Sequence, residues 1–129
     1  MDVAAALERL LQDSSQVERA VVLDASGSVL GSTLDDDGAS ERLASAASEL
    51  AASAGELHAG AEVTRVEVEL AGGAVFVLRE GERGIVGVTG PRPTAGLVAY
   101  DLRTCLHAIE EAPKPKRRRA AAKPKETAE

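Results

Sequence analysis

The sequence predicts an α/β sandwich on a five-stranded antiparallel sheet, with the element order α-β-β-α-β-β-β-α. Three segments repeat apolar residues at helical spacing, and five short apolar or alternating segments are typical of strands. Short turns join successive strands, and no crossover connection brings parallel strands together. This pattern disfavours a doubly wound nucleotide-binding fold.

The first helix is predicted over residues 2–14, where apolar side chains recur every three to four residues. Residues 20–23 are apolar on both faces and therefore suit a central strand. The dipeptide Ser26-Gly27 favours a turn, and residues 28–33 return as a second strand. The two strands are predicted to form a β-hairpin.

A long second helix is predicted to begin after the acidic segment Asp35–Gly38, which supplies capping residues, and to end near Leu57. Its main apolar stripe consists of Leu43, Ala46, Ala47, Leu50, Ala54 and Leu57. A second stripe holds only small residues, namely Ala44, Ser48, Ala51, Ala52 and Gly55. Two packable stripes indicate a helix that lies between two surfaces.

Three strands follow over residues 62–70, 74–78 and 85–88, separated by glycine-containing turns. The first of them alternates cleanly, with valines on one face and charged residues on the other. One face of this strand is therefore expected to contact water or a partner.

A final helix is predicted with Thr94 as its N-cap, apolar residues at helical spacing as far as Ile109, and Pro113 as its stop. These boundaries divide the chain into a folded domain over residues 1–112 and a tail over residues 113–129. The tail has no apolar stripe, and its composition predicts disorder in isolation.

The net charge of −6 conceals a strong asymmetry between domain and tail. The tail carries seven of the 15 basic and two of the 21 acidic side chains, a balance of +5, which leaves −11 for the domain. The tail is predicted to bind a polyanion, DNA or anionic lipid, through Lys114, Lys116, Arg117, Arg118, Arg119, Lys123 and Lys125. The alternative is a tail that only increases solubility.

The sequence offers little for catalysis, and no cofactor or metal is expected. Cys105 and His107 lie two apart on one helix and point in different directions, which favours a core thiol and a surface imidazole. The aspartates at 35–37 lack the alternate spacing of a calcium loop and are better explained as helix caps. We therefore expect a protein that is not an enzyme.

A cytoplasmic location is expected on three grounds. The single cysteine excludes an intramolecular disulfide, and the first residues lack the basic and apolar segments of a signal peptide. No run approaches the roughly 20 apolar residues that a membrane helix needs.

Three stretches resemble the bacterial Roadblock/LC7 domains, including the small proteins encoded beside Ras-like GTPases. They are Ala20–Leu30, Gly72–Leu78 and Gly96–Leu102, which occur in the family's order and spacing. The resemblance covers roughly residues 2–111, and the basic tail is not part of it.

The resemblance implies a homodimer in which the third strands of two copies pair and the second helices pack side by side. It places the strand residues Val63, Arg65, Val66, Glu67, Val68 and Glu69 at the sheet junction. It also places the small stripe Ala44, Ser48, Ala51, Ala52 and Gly55 near the twofold axis. An aromatic-poor core, with Phe76 and Tyr100 as its only aromatics, makes burial against a second copy attractive.

Two functions from different classes are therefore predicted. The first is a non-enzymatic dimeric adaptor that binds a Ras-like small GTPase as scaffold or activator, which is what the resemblance implies. The second is a nucleic-acid- or anionic-surface-associated protein that acts through the basic tail.

Overall fold

The computed structural model describes residues 1–58 and 62–109, and the eight elements within them follow the predicted order. The elements are α1 (Val3–Asp13), β1 (Val17–Asp24), β2 (Val29–Ser32), α2 (Asp37–Glu56), β3 (Arg65–Leu70), β4 (Gly73–Glu80), β5 (Arg83–Thr89) and α3 (Ala95–Ala108).

The five strands form one antiparallel sheet in the order β2-β1-β5-β4-β3. The hairpin β1–β2 and the meander β3–β4–β5 are joined side by side through β1 and β5. Helices α1 and α3 pack together on one face of this sheet, and α2 packs on the other. The predicted fold class is confirmed.

Carboxylate caps begin two of the three helices, and the cap of α2 lies in the acidic segment that the sequence predicts to supply it. The Asp2 carboxylate accepts a hydrogen bond from the Ala5 N–H at 2.8 Å, and the Asp36 carboxylate accepts one from the Gly38 N–H at 2.9 Å. Thr94 stands at the N-cap of α3, but its side chain makes no capping hydrogen bond. Its own N–H instead donates to Gln16 Oε1 at 2.6 Å, which connects the start of α3 to the segment between α1 and β1.

Several predicted boundaries were displaced. The third strand begins at Arg65 rather than Glu62, and β1 extends beyond residues 20–23 at both ends. Helix α3 ends at Ala108, before the predicted stop at Pro113, and the backbone of its C-cap Ile109 is extended. At this end of the helix the Ile109 side chain is buried in the core, and Arg83 donates to its carbonyl oxygen at 3.2 Å.

The core beneath α1 and α3 surrounds Phe76, Ile85 and Leu102, each of them buried. Gly87 of β5 permits this packing, because a Cβ at that position would lie 2.9 Å from a methyl carbon of Leu102. The Leu102 side chain of α3 therefore contacts the backbone of β5 directly.

Helix α2 uses its two stripes differently from the prediction. The helix rests on the sheet through Ser40, Ala44, Ala47 and Ala51, which are small and buried. Leu43 and Leu50 are only half-buried, and Leu57 is 86% exposed. Small residues bring the helix close to the sheet, so the leucines lie along its side instead of beneath it.

Candidate protein-interaction surface

The strand β3 forms a regular, open edge of the sheet. Its residues pair with β4 without interruption from Arg65 opposite Leu78 to Leu70 opposite Gly73. The Arg79 N–H donates to the Thr64 carbonyl at 3.0 Å, which fixes the alternation of hydrogen bonds along this pair. The backbone groups of every second residue, at positions 65, 67 and 69, therefore point away from the sheet.

Valines form two parallel rows across the strands on the α2 face. The first row, Val66, Val77, Val86 and Val21, contains the residues that pack under α2. The second row holds Val68, Val75 and Val88, which are opposite one another on β3, β4 and β5. These three side chains are only half-buried in the protomer. We call this second set the valine row.

The half-buried Leu43 and Leu50 of α2 and the exposed Leu57 at its C-cap lie on the side of the helix toward the valine row. The opposite side of the helix, with Ser48, Ala52 and Gly55, borders a recess shared with the β1–β2 turn and Arg79 at one end of the strands. The leucine side must therefore face the other end, where the valine row lies. Leu43, Leu50 and Leu57, which we call the leucine flank, form with the valine row an apolar shelf that is partly exposed in the described part of the chain.

The residues predicted to form the dimer interface are not equally accessible. Within the small stripe, Ala44 and Ala51 are buried against the protomer's own sheet, Ser48 and Gly55 are half-buried, and Ala52 is exposed. Val66 and Val68 of β3 are half-buried, as is Val63, which precedes the strand, whereas Arg65, Glu67 and Glu69 are exposed. A charge at Ala51 would thus disturb the protomer itself and would not test dimerisation cleanly.

Sequence reasoning missed the leucine flank as an exposed surface. The sequence predicts that the leucines belong to the main apolar stripe and that both stripes of the helix are packed, without distinguishing which side faces the sheet. The buried side of α2 takes residues from both predicted stripes, and the signal that distinguishes it is that Ser40, Ala44, Ala47 and Ala51 are all small, which allows close approach to the sheet.

The charged residues of β3 lie on the opposite face of the sheet and are exposed. Arg65 forms an ion pair with Glu67 on the same strand, and both side chains are more than a third exposed. On the neighbouring strand β4, Glu80 is bound to α3 by Arg103 Nε at 2.9 Å and by His107 Nε2 at 2.5 Å. Burial raises the pKa of Glu80, but the hydrogen bonds and charges of His107 and Arg103 outweigh it, so the pKa is lowered overall.

Cys105 is a buried core residue, as predicted, and burial raises its pKa to about 11. The thiol is consequently protonated at neutral pH and is a poor nucleophile. His107 lies on the surface as predicted, and its contact with Glu80 spans 27 residues of sequence. Across residues 1–58 and 62–109, no three His, Cys, Asp or Glu side chains are grouped so that they could hold a metal ion.

The boundary between domain and tail lies outside the described residues. So do the predicted anion-binding side chains Lys114, Lys116, Arg117, Arg118, Arg119, Lys123 and Lys125. None of the helices in the described part of the chain is long and apolar enough to cross a membrane.

Comparisons with known proteins agree with this architecture. The family model for the Roadblock/LC7 domain matches residues 4–89. A Roadblock/LC7 domain from Streptomyces avermitilis superposes with a TM-score of 0.73 at 24% identity, covering 84% of this chain and 94% of that one. A second Roadblock/LC7 structure from that organism superposes with a TM-score of 0.67 at 25% identity, covering 84% of this chain and 99% of that one.

Myxococcus xanthus MglB superposes with a TM-score of 0.66 at 19% identity, and the match covers 80% of each chain. No curated protein sequence gives a significant match. The element order, the sheet topology and the family match lead to one conclusion. The chain belongs to the Roadblock/LC7 family.

Proposed function

We propose that this protein is a cytoplasmic, non-enzymatic homodimer that binds a Ras-like small GTPase as a scaffold or as an activator. The observation that carries the proposal is the partly exposed apolar shelf beside the open edge of β3. Family membership supports the GTPase as partner, because the Roadblock/LC7 resemblance implies proteins that act with such GTPases.

The shelf suits a second copy of the chain for a geometric reason. If two β3 strands pair antiparallel, a twofold axis perpendicular to the sheet relates the copies. Helix α2 is displaced toward one end of its strands, so the twofold displaces the partner's α2 toward the opposite end. That position lies beside the leucine flank and next to the valine row.

Dimerisation would cover both the unpaired edge of β3 and the exposed leucines of the isolated protomer. The unpaired backbone groups of β3 would gain hydrogen bonds in a continuous ten-stranded sheet. The exposed leucines of both helices would be buried, and burial stabilises the dimer by roughly 25 cal/mol per Å² of apolar surface. A similar solved structure is described as MglB with a tetrameric arrangement, at 18% identity and a TM-score of 0.63.

The test uses the full-length protein and each Ras-like GTPase encoded in its own genome. Every GTPase is loaded with GDP or with a non-hydrolysable GTP analogue, and binding is measured by calorimetry. We expect one GTPase to bind with a preference for one nucleotide state. GTP turnover with and without the protein then separates an activator, which raises the rate, from a scaffold, which leaves it unchanged. Failure of every GTPase to bind in either state would overturn the proposal.

The charge partition favours a second candidate, an association with nucleic acid or an anionic membrane surface through residues 113–129. The tail has no aromatic residue to stack on bases, so binding to DNA should be insensitive to sequence and steeply salt-dependent. Deleting residues 113–129 should abolish retention on duplex DNA or anionic vesicles and leave dimerisation intact. Equal retention of the truncated and full-length proteins would reject this candidate.

A further inference from the structure

The free edge of β3 carries a short charge pattern. Arg65, Glu67 and Glu69 point to the same face of the sheet, opposite Leu78, Phe76 and Ala74 on β4. Their backbone groups are also the ones that point away from the sheet. Any strand that pairs with this edge must therefore meet these three charges directly.

In a symmetric antiparallel pair, the twofold axis passes through one position of the strand, and that position determines which side chains are opposite. An axis at Glu67 places the two Glu67 carboxylates opposite each other. An axis at Val68 is worse, since Glu67 and Glu69 then oppose each other on both sides of the axis. Like charges directly opposite each other destabilise a sheet.

An axis at Val66 gives the opposite result. Arg65 then faces the partner's Glu67, and this pair occurs twice by symmetry. Arg65 already contacts Glu67 on its own strand, so the junction acquires two arginines and two glutamates in alternation, with no net charge. Glu69 lies outside this group, opposite the partner's Val63.

We propose that the twofold axis of the β3–β3 pair passes through Val66 and that Arg65 is the residue that determines this register and favours self-pairing. The inference rests on the proposed dimer and specifies how its two strands are aligned. Arg65 is the only cation of β3. Without it the strand presents carboxylates alone and repels a second copy in every register that aligns them.

Cysteine cross-linking measures the register. At a twofold axis through Val66 the two copies of that residue form a non-hydrogen-bonded pair with Cα atoms about 4.5 Å apart. This separation lies within the range of a disulfide. We expect Val66→Cys to form a covalent dimer on mild oxidation and Glu67→Cys to do so much more slowly. The native Cys105 is buried, so the wild-type protein should not cross-link and serves as the control. Cross-linking of Glu67→Cys in preference to Val66→Cys would overturn the register.

Charge reversal tests the role of Arg65. The Arg65→Glu protein should have a dimer dissociation constant raised at least about tenfold at low salt, and less at high salt, where exposed charges are screened. Arg65→Lys should dimerise almost as the wild type does. Mixing Arg65→Glu with Glu67→Arg should restore a heterodimer, since each acidic position then faces an arginine.

The outcomes separate this inference from the proposed function. A wild-type protein that stays monomeric at high concentration would refute the dimer itself. A wild-type dimer that tolerates Arg65→Glu without weakening would leave the dimer standing and reject only the role of Arg65. An Arg9→Glu variant, which alters an exposed arginine of α1 on the face of the sheet opposite the valine row, is the control for a change in net charge.

Discussion

The two edge strands of the sheet differ in nearly every property that governs strand pairing. β2 has four residues and an irregular register, because Leu23 is opposite Val29 while Val22 is opposite Gly31. Leu30 is therefore the extra residue of a β-bulge. β3 has six residues in an unbroken register with β4.

The neighbours of the two edges differ as well. Helix α1 packs against β2, and Gly31 permits the contact, because a Cβ there would collide with Val3. Beside β3, in contrast, a partly exposed apolar shelf lies on one face and a charge pattern on the other. A bulged, short and partly covered edge resists pairing with other chains, whereas a regular and open edge favours it. One sheet thus protects one edge and offers the other to a partner.

The largest expected effect comes from placing a charge on each edge in turn. Val68→Glu adds a carboxylate to the valine row, where a second copy would bury it without a partner at a cost of about 3–5 kcal/mol. The dimer dissociation constant should rise at least about a hundredfold. Leu30→Glu, on β2, changes a side chain that is 44% exposed and should leave it unchanged. Sedimentation velocity over a concentration series measures both variants.

Circular dichroism serves as the control for folding, because Val68 is half-buried in the protomer. A folded Val68→Glu protein that remains dimeric would contradict the assignment of β3 as the pairing edge. Dissociation by Leu30→Glu alone would assign that role to β2.

The sequence predicts the two faces of β3 but not its position at the edge of the sheet. The alternation Arg65–Leu70 predicted a strand with one charged and one apolar face, and the register confirmed the two faces. The position of β3 at the edge of the sheet follows from the pairing of β1 with β5, which depends on packing between distant segments. Local periodicity contains no information about such pairs.

Helix α2 shows the same limit. The helix itself and an N-cap within the acidic segment 35–38 were predictable from spacing and residue type, but the buried side was not. Periodicity identifies two stripes. Which residues are buried against the sheet, the leucines or the alanines, depends on how closely the helix approaches it. Similarly, Glu80 and His107 are separated by 27 residues, and no spacing rule would pair them.

A middle-sized effect is expected from filling the close contact that covers β2. Gly31→Ala places a methyl group against Val3, so the start of α1 must move away from the strand. Overpacking of this kind costs about 1–3 kcal/mol, and each kcal/mol lowers the Tm of a domain of this size by about 4–8 °C. Dimerisation should persist because β3 is untouched. Calorimetry checks the first expectation and sedimentation the second. Gly72→Ala is the matched control, since no atom lies within 4 Å of the added Cβ.

The smallest expected effect concerns Glu80, a carboxylate on the same face as those of β3 but already bound within the protomer. Its pKa is lowered in the folded state, because His107 and Arg103 outweigh the effect of burial. Its contribution to stability is therefore present above the unfolded pKa of about 4.3 and is lost as the pH falls through the folded value.

The ion pairs of Glu80 with Arg103 and with His107 are both partly exposed. Glu80→Gln should therefore lower the free energy of unfolding at pH 7 by only about 0.2–1 kcal/mol. The difference from the wild type should shrink as the pH falls below about 4.3, since protonation removes the same charge from the wild-type side chain. Urea unfolding at pH 7, 5 and 3 measures the trend, with the exposed Glu82→Gln as control. A difference that grows toward low pH would contradict the sign of the shift. At each of these pH values the dimer dissociation constant of Glu80→Gln should equal that of the wild type, because Glu80 stabilises α3 on an interior strand and the charges proposed to meet a second copy are those of β3.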